Sequence, residues 1–307
     1  RVGSSILPLA TILPKNPDHL YAETRGFSGS TNRQVRYAYA EYFWEANEMN
    51  DEGDVSTQIE GHTLLIEVDR SAKMNGFTPT MFEGIEKALF ELERQEELWV
   101  GIITFKGEHT TAGLDLPKFF GPDAKPTENS GGHPDVFGIR KKCSKPLIMA
   151  VQGITYTIGI EMMLASDIVV AAEDCRFCQL EPKRGLAVFG GAHVRYVQRA
   201  GWGNAMYHLL RADEFDATRA KDLGFVQEVV PVGHQVSRAL EIAEEICECS
   251  PLALREIKRA ALVYLEDGEE AAFAEIPTMR QTTLGSEDAK EGMKSFIERR
   301  KPNFNGR

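Results

Sequence analysis

The chain has 307 residues, of which 42% are hydrophobic and 26% charged, and it carries a formal charge of −11. That balance fits one large globular domain, or a domain with an appended piece, with enough apolar residues for a sizeable core. It argues against a surface built to hold nucleic acid or another polyanion, which needs clustered Lys and Arg, while leaving room for a small anionic ligand. The five cysteines, at 143, 175, 178, 247 and 249, are odd in number, and CRFC and CEC lack a second ligand pair or a nearby histidine cluster. They read as reduced thiols in a cytosolic-type protein rather than a metal site.

The first 58 residues differ in texture from the rest. ILPLATILP (6–14) is apolar but short of the ~20 residues of a membrane span. Because the chain begins at Arg1 rather than Met, this segment is compatible with the remnant of a targeting sequence. Residues 14–34 are rich in Pro, Asn, Ser and Gly, and the aromatic cluster RYAYAEYFWEANEMN (36–50) follows. The cluster reads either as a helix that docks a partner or as an extension packed on its own domain or a sister subunit. NDEGD (50–54) reads as a linker.

From residue 59 an α/β rhythm begins. HTLLIEV (62–68), WVGIITF (99–105), PLIMAV (146–151) and DIVVAA (167–172) predict strands, most of them apolar enough to be covered on both faces, and RFCQL (176–180) predicts a short one. Thr78-Pro79 predicts a helix start, with Met81, Ile85, Leu89 and Leu92 at helical spacing behind it. Alternating strands and helices imply a largely parallel sheet with right-handed crossovers. After VQEVVP (226–231) the pattern is helical, with starts predicted at Ser250-Pro251 and Ser286-Glu287-Asp288. The resulting division is an extension at 1–58, an α/β core at 59–235 and a helical region at 236–307.

Dinucleotide, P-loop and zincin signatures are missing, and GFSGS (26–30) fails the nucleophile-elbow spacing. Two glycine-bearing loops remain, HTTAGLDLPKF (109–119) and QGITYTIGIEMM (152–163), each following a buried predicted strand. Open α/β sheets bind ligands at the carboxyl ends of their strands. A free N–H from each loop would together make an oxyanion hole. The second loop also carries Glu161 in the apolar run YTIGIEMMLASD (156–167), where an unpartnered carboxylate is expensive to bury. His193, in GGAHVRY, is the histidine nearest these loops, read either as functional or as a helix-start or packing residue.

TTAGLDL (110–116), then VQGITYTIGIEMMLASDIVVAAEDCRF (151–177), resembles the crotonase superfamily, the enoyl-CoA hydratase/isomerase family. DRSAKMNG (69–76), LGFVQEVVP (223–231) and SEDAKEGMKSFIERRKPNFNG (286–306) extend the resemblance over about residues 58 to 307. It implies a crotonase-like α/β fold of repeated ββα units, a C-terminal helical region used in assembly, and a homotrimer or dimer of trimers. It implies an acyl-CoA substrate whose thioester enolate is stabilised, with coenzyme A entering as part of the substrate and no other cofactor. By position, Leu114 and Ile158 would supply the oxyanion N–H donors, and Glu161 and Glu181 would be the two catalytic carboxylates. Lys73, Met74, Gly113, Leu116 and Lys118 would line the coenzyme A path, with Tyr156, Gly159 and Phe189 near the acyl group.

Two carboxyl groups in a desolvated cleft suit hydration of an enoyl thioester, one activating water at Cβ and the other protonating Cα. Isomerisation or C–C cleavage on the same enolate is the enzymatic alternative, and RNA binding, known for some relatives, is opposed by the charge. The sequence departs from the family where Thr157-Ile158-Gly159 replaces a run of glycines, which would reshape the pocket roof. It departs again where Leu180 replaces a proline before Glu181. The expected location is cytoplasmic.

Overall fold

The computed structural model describes residues 52–122 and 132–307. The segment 6–14, GFSGS and the aromatic cluster 36–50 lie outside the described residues. Strands β1 (Asp54–Glu60), β2 (Thr63–Asp69), β3 (Val100–Phe105), β4 (Leu147–Val151), β6 (Ile168–Ala172) and β9 (Glu228–Val230) form one sheet in the order β1-β2-β3-β4-β6-β9. β1 pairs antiparallel with β2, and every other pair in this sheet is parallel. Predicted and observed strands agree within one residue for β2, β3, β4 and β6. β1 is a difference. It crosses the boundary drawn at residue 58 and takes in Asp54, read above as the end of a linker, because its polar residues are nearly all exposed and give no apolar signal.

Period-two alternation divides the sheet's side chains between two cores. Leu64, Ile66, Val68, Ile103, Phe105, Met149 and Val151 face the larger one. Val100, Ile102, Ile148, Ala150 and Val170 face the other, where Ala239, Ile242 and Ala243 of α6 (Gln235–Cys247) cover them. Each fully buried Val, Leu, Ile, Phe or Met among them contributes roughly 1.5–3 kcal/mol, so the sheet is stabilised from both faces.

Helix α1 (Pro79–Arg94) closes the larger core. Thr78 accepts from the Met81 N–H at 3.3 Å, Pro79 occupies the first turn, and Met81, Ile85, Leu89 and Leu92 are buried. The short helix α2 (Leu116–Phe120) follows β3, and α3 (Ile158–Ala165) follows β5 (Ile154–Tyr156). β5, β7 (Arg176–Cys178) and β8 (Phe215–Asp216) make a second, small sheet. The predicted strand 176–180 ends early, since Leu180 turns into αR geometry ahead of a 3-10 helix over Glu181–Arg184.

Helix α4 (Ala192–Arg211) is broken at Gly201, and α5 (Ala217–Asp222) leads into β9. After α6 come α7 (Pro251–Asp267), α8 (Glu269–Ala274), α9 (Ile276–Leu284) and α10 (Glu287–Glu298). Ser250 caps α7 by accepting from Ala253 N–H, and Ser286 caps α10 by accepting from Ala289 N–H. Both starts fall where the sequence predicts them. Among the described residues no helix is long and apolar enough to cross a membrane.

Candidate active site

The two glycine-bearing loops are zipped together. Thr111 N–H donates to Ile154 O, and Tyr156 N–H donates back to Thr111 O, both at 3.0 Å. The 70–77 loop braces the first of them from the other side. Ala112 N–H donates to Met74 O, Phe77 N–H to Gly113 O and Asp115 N–H to Phe77 O. Arg70, buried, closes this brace with an ion pair to Asp115 at 2.8 Å. Asn75, fully buried, donates from Nδ2 to the carbonyls of Lys106 and His109.

Among the described residues this ladder engages the N–H groups of Ala112, Gly113 and Asp115 and passes over that of Leu114. The N–H of Ile158 is the first of α3, and first-turn N–H groups have no partner within the helix. Two N–H groups without a partner among the described residues thus come from two loops that the ladder holds side by side.

Thr157, and not Gly159, makes the turn into α3, with φ 50° and ψ −113°, a conformation costly for a β-branched residue. The Thr157 side chain packs against Gly113, where an added Cβ would meet Thr157 Oγ1 at 2.5 Å, and this hydroxyl is buried with no partner among the described residues. Gly159 serves close packing instead, since a Cβ there would lie 2.7 Å from Thr111 Cγ2. Ile158 turns its side chain into the protein interior. Its side chain is 5% exposed and belongs to the larger core.

Glu161, on the first turn of α3, is 2% exposed. It accepts from the Ala192 N–H at 3.1 Å and from the Gly190 N–H. Burial pushes its pKa up, while those two bonds and the nearby Arg195 oppose the shift. Glu181 opens the 3-10 helix, and burial, helped by the charge of Glu161, pushes its carboxyl up to about 7. Gln179, 2% exposed, holds this group: oriented to satisfy both neighbours, its amide donates to Glu181 Oε2 at 3.1 Å and to Thr157 O at 3.2 Å. One carboxylate held by backbone donors beside another poised near neutrality can divide base and acid duties.

Other expected residues fall differently. Lys73 and Met74 are exposed on the bracing loop and Leu116 at the start of α2. Lys118 ion-pairs with Glu52. Tyr156 commits its hydroxyl to Glu214 at the edge of the small sheet, and burial with that neighbour pushes it up to about 12. Phe189 is 70% exposed and, with the exposed His193 and Ile139, borders a separate cavity next to α7 that takes in neither glutamate. The ring that reaches the Glu161 neighbourhood is Phe137: a Cβ on Gly190 would meet both Glu161 Oε2, at 2.5 Å, and Phe137 Cδ1, at 2.9 Å.

Sequence reasoning passed over Gln179, Arg195 and Asp135. The first had a signal, a lone amide in the apolar run RFCQL two residues before Glu181. Arg195 donates to the carbonyls of Gly190, at 2.9 Å, and Phe137, tying together two loops that are remote in sequence.

The enoyl-CoA hydratase/isomerase family profile matches residues 58–307. The chain is similar to the enoyl-CoA hydratase EchA19 of Mycobacterium tuberculosis, 31% identical over 258 residues, covering 83% of this chain and 97% of the relative. It is 28% identical over 248 residues to a methylmalonyl-CoA decarboxylase of Escherichia coli, with 79% and 94% of the two chains covered. Among solved structures, a probable enoyl-CoA hydratase/isomerase from Mycobacterium abscessus is 38% identical and superposes with a TM-score of 0.79 over 82% of this chain and 98% of that one. The α/β core with its helical C-terminal region is accordingly a crotonase fold. By profile, sequence and structure together, the chain belongs to the enoyl-CoA hydratase/isomerase family.

Proposed function

We propose that this protein hydrates a 2-enoyl-CoA thioester. The observation that carries the reading is the pairing of Glu161 with Glu181, the second poised at about 7, beside the uncommitted N–H groups of Leu114 and Ile158. The two N–H donors receive the thioester oxygen as negative charge develops on it. Glu161, as carboxylate, takes a proton from a water held between the two glutamates as that water adds to Cβ. The π electrons move toward the thioester and form the enolate. Glu181, in its acid form, returns a proton to Cα, so the product gains the elements of one water.

Exposed Lys73 and the 70–77 brace would flank the nucleotide path, and Lys118 would serve a phosphate by exchanging it for Glu52. Assembly as a homotrimer or dimer of trimers is part of the same reading. It is supported by large apolar side chains left bare on the single chain, among them Phe296 at 84% and Ile297 at 79% exposure on α10.

The test is a panel of 2-enoyl-CoA thioesters followed by loss of the conjugated-enoyl absorbance. Hydration by the wild-type protein and losses of 10²-fold or more in Glu161→Gln and in Glu181→Gln are expected. Full activity in both variants would sink the mechanism. Migration of the double bond, with one glutamate dispensable, would replace it with isomerisation.

A further inference from the structure

Three rings stand in a row that ends against the Gly190 on which Glu161 rests, and the last of them is held firmly in place. Phe137 sits in the loop that precedes β4. Asp135, 6% exposed, gathers that loop by accepting from the N–H groups of Phe137, Ile139, Arg140 and Lys141 at 2.8–3.2 Å. Gly138 N–H donates to Asp135 O, and Arg195 clamps the carbonyls of Phe137 and Gly190. A ring so restrained keeps its position when a ligand arrives.

Phe137 lies at one end of a row of rings. It packs against Phe82 at 5.5 Å between centroids, and Phe82 packs edge-on against Phe119 of α2 at 5.9 Å. All three rings are partly exposed. The row therefore runs from the helix that follows the Leu114 donor to the glycine on which Glu161 rests. An acyl group whose thioester oxygen meets Leu114 and whose Cβ meets Glu161 has this row beside it. A straight alkyl chain gains little from aromatic walls beyond burial, whereas a flat ring can take the offset or edge-to-face geometries that rings prefer.

Resting on the acyl-CoA reading above, we propose that Phe137 is the specificity-determining residue of this site and that its row of rings selects acyl thioesters bearing an aromatic ring at or near Cβ over straight-chain ones. The claim concerns binding geometry, so unreactive ligands test it apart from catalysis. 3-Phenylpropanoyl-CoA and nonanoyl-CoA carry the same number of acyl carbons, and neither can be hydrated. Titration calorimetry on the wild-type protein is expected to give a Kd at least 10-fold lower for the phenyl thioester. Phe137→Ala should bring the two within about 2-fold, and Phe137→Tyr, which keeps the ring, should restore the preference. Equal affinities in the wild-type protein, or a preference that survives in Phe137→Ala, would overturn the proposal.

The variants' thermal midpoints report whether they fold, and Phe137→Tyr keeps the test decisive if Phe137→Ala does not. A kinetic arm compares kcat/KM for cinnamoyl-CoA and 2-nonenoyl-CoA between wild type and Phe137→Ala, since intrinsic reactivity cancels in the ratio. Failure of the wild-type protein to hydrate either thioester would count against the hydratase reading alone, with the calorimetric preference still deciding the role of Phe137.

Discussion

The carboxylate of Glu161 lies directly against the backbone of Gly190. A Cβ at that position would stand 2.5 Å from Oε2 and 2.7 Å from the carboxyl carbon. Gly190→Ala must therefore move the glutamate, the neighbouring Phe137 ring, or both. Displacements of about 1 Å at reacting groups cost on the order of 10²-fold in rate. A fall of that size in kcat is expected, together with about 1–3 kcal/mol of stability lost to overpacking. Steady-state kinetics and a urea titration measure the two effects, and unchanged kcat would show that the surroundings yield and Glu161 keeps its position.

The pH behaviour of the protein should carry the signature of Glu181. Its carboxyl is raised from the ordinary 4.5 to about 7, chiefly by burial, so the folded chain holds this proton more tightly than the unfolded chain. The associated stability is complete below 4.5 and is lost as pH rises through about 7. Glu161 shifts in the same direction. Thermal midpoints between pH 5 and 8 should fall with rising pH, less steeply in Glu181→Gln. In the proposed mechanism Glu181 works as an acid, so kcat/KM should also show a falling limb near pH 7. Gln179→Leu removes a donor to the charged form and should move that limb upward.

Thr157 pays twice for its position, in backbone strain and in a buried, unpartnered hydroxyl. Strain of this kind costs about 1–3 kcal/mol and a desolvated unpaired polar group about 1–3 kcal/mol. Thr157→Gly removes both, against roughly 1 kcal/mol of extra unfolded-state entropy. A gain of about 1 kcal/mol or more in urea-measured stability is the expected outcome. Destabilisation would mean that Thr157 packing against Gly113 outweighs its strain.

Asp135→Ala leaves four backbone N–H groups without the acceptor they share. The expected loss is on the order of 3 kcal/mol, readable in the unfolding midpoint. Unchanged stability would show that water replaces the carboxylate at little cost.

What could be read from the sequence was what repeats or what carries a local signal. Apolar runs marked β2, β3, β4 and β6, and Ser or Thr before a helix marked three helix starts. Glu161 stood out because a carboxylate in an apolar run needs a reason, and family register pointed to Glu181, Leu114 and Ile158 as candidates beside it. β1 was illegible because its pairing with β2 uses backbone groups while its side chains face solvent. Arg195 and Phe137 were illegible for another reason. Their roles depend on loops brought together across some fifty residues, and no periodicity records that. Thr157 gave no warning of its role, since a β-branched residue takes a positive-φ conformation while Gly159 stands two positions on.

The strand that leads to Glu181 is tied through its backbone to the turn before α3: Thr157 N–H donates to the carbonyl of Cys178 at 2.9 Å. A thioester is an electrophile toward any thiolate that can reach it, so a thiol next to Gln179 in the chain has to stay out of reach and neutral. Burial pushes the Cys178 thiol up to about 11, and its Sγ donates to the carbonyl of Ala212 at 3.2 Å. Near neutral pH only about one molecule in ten thousand carries the nucleophilic form. The packing that completes the small sheet thus also keeps this thiol buried and in its neutral, unreactive form.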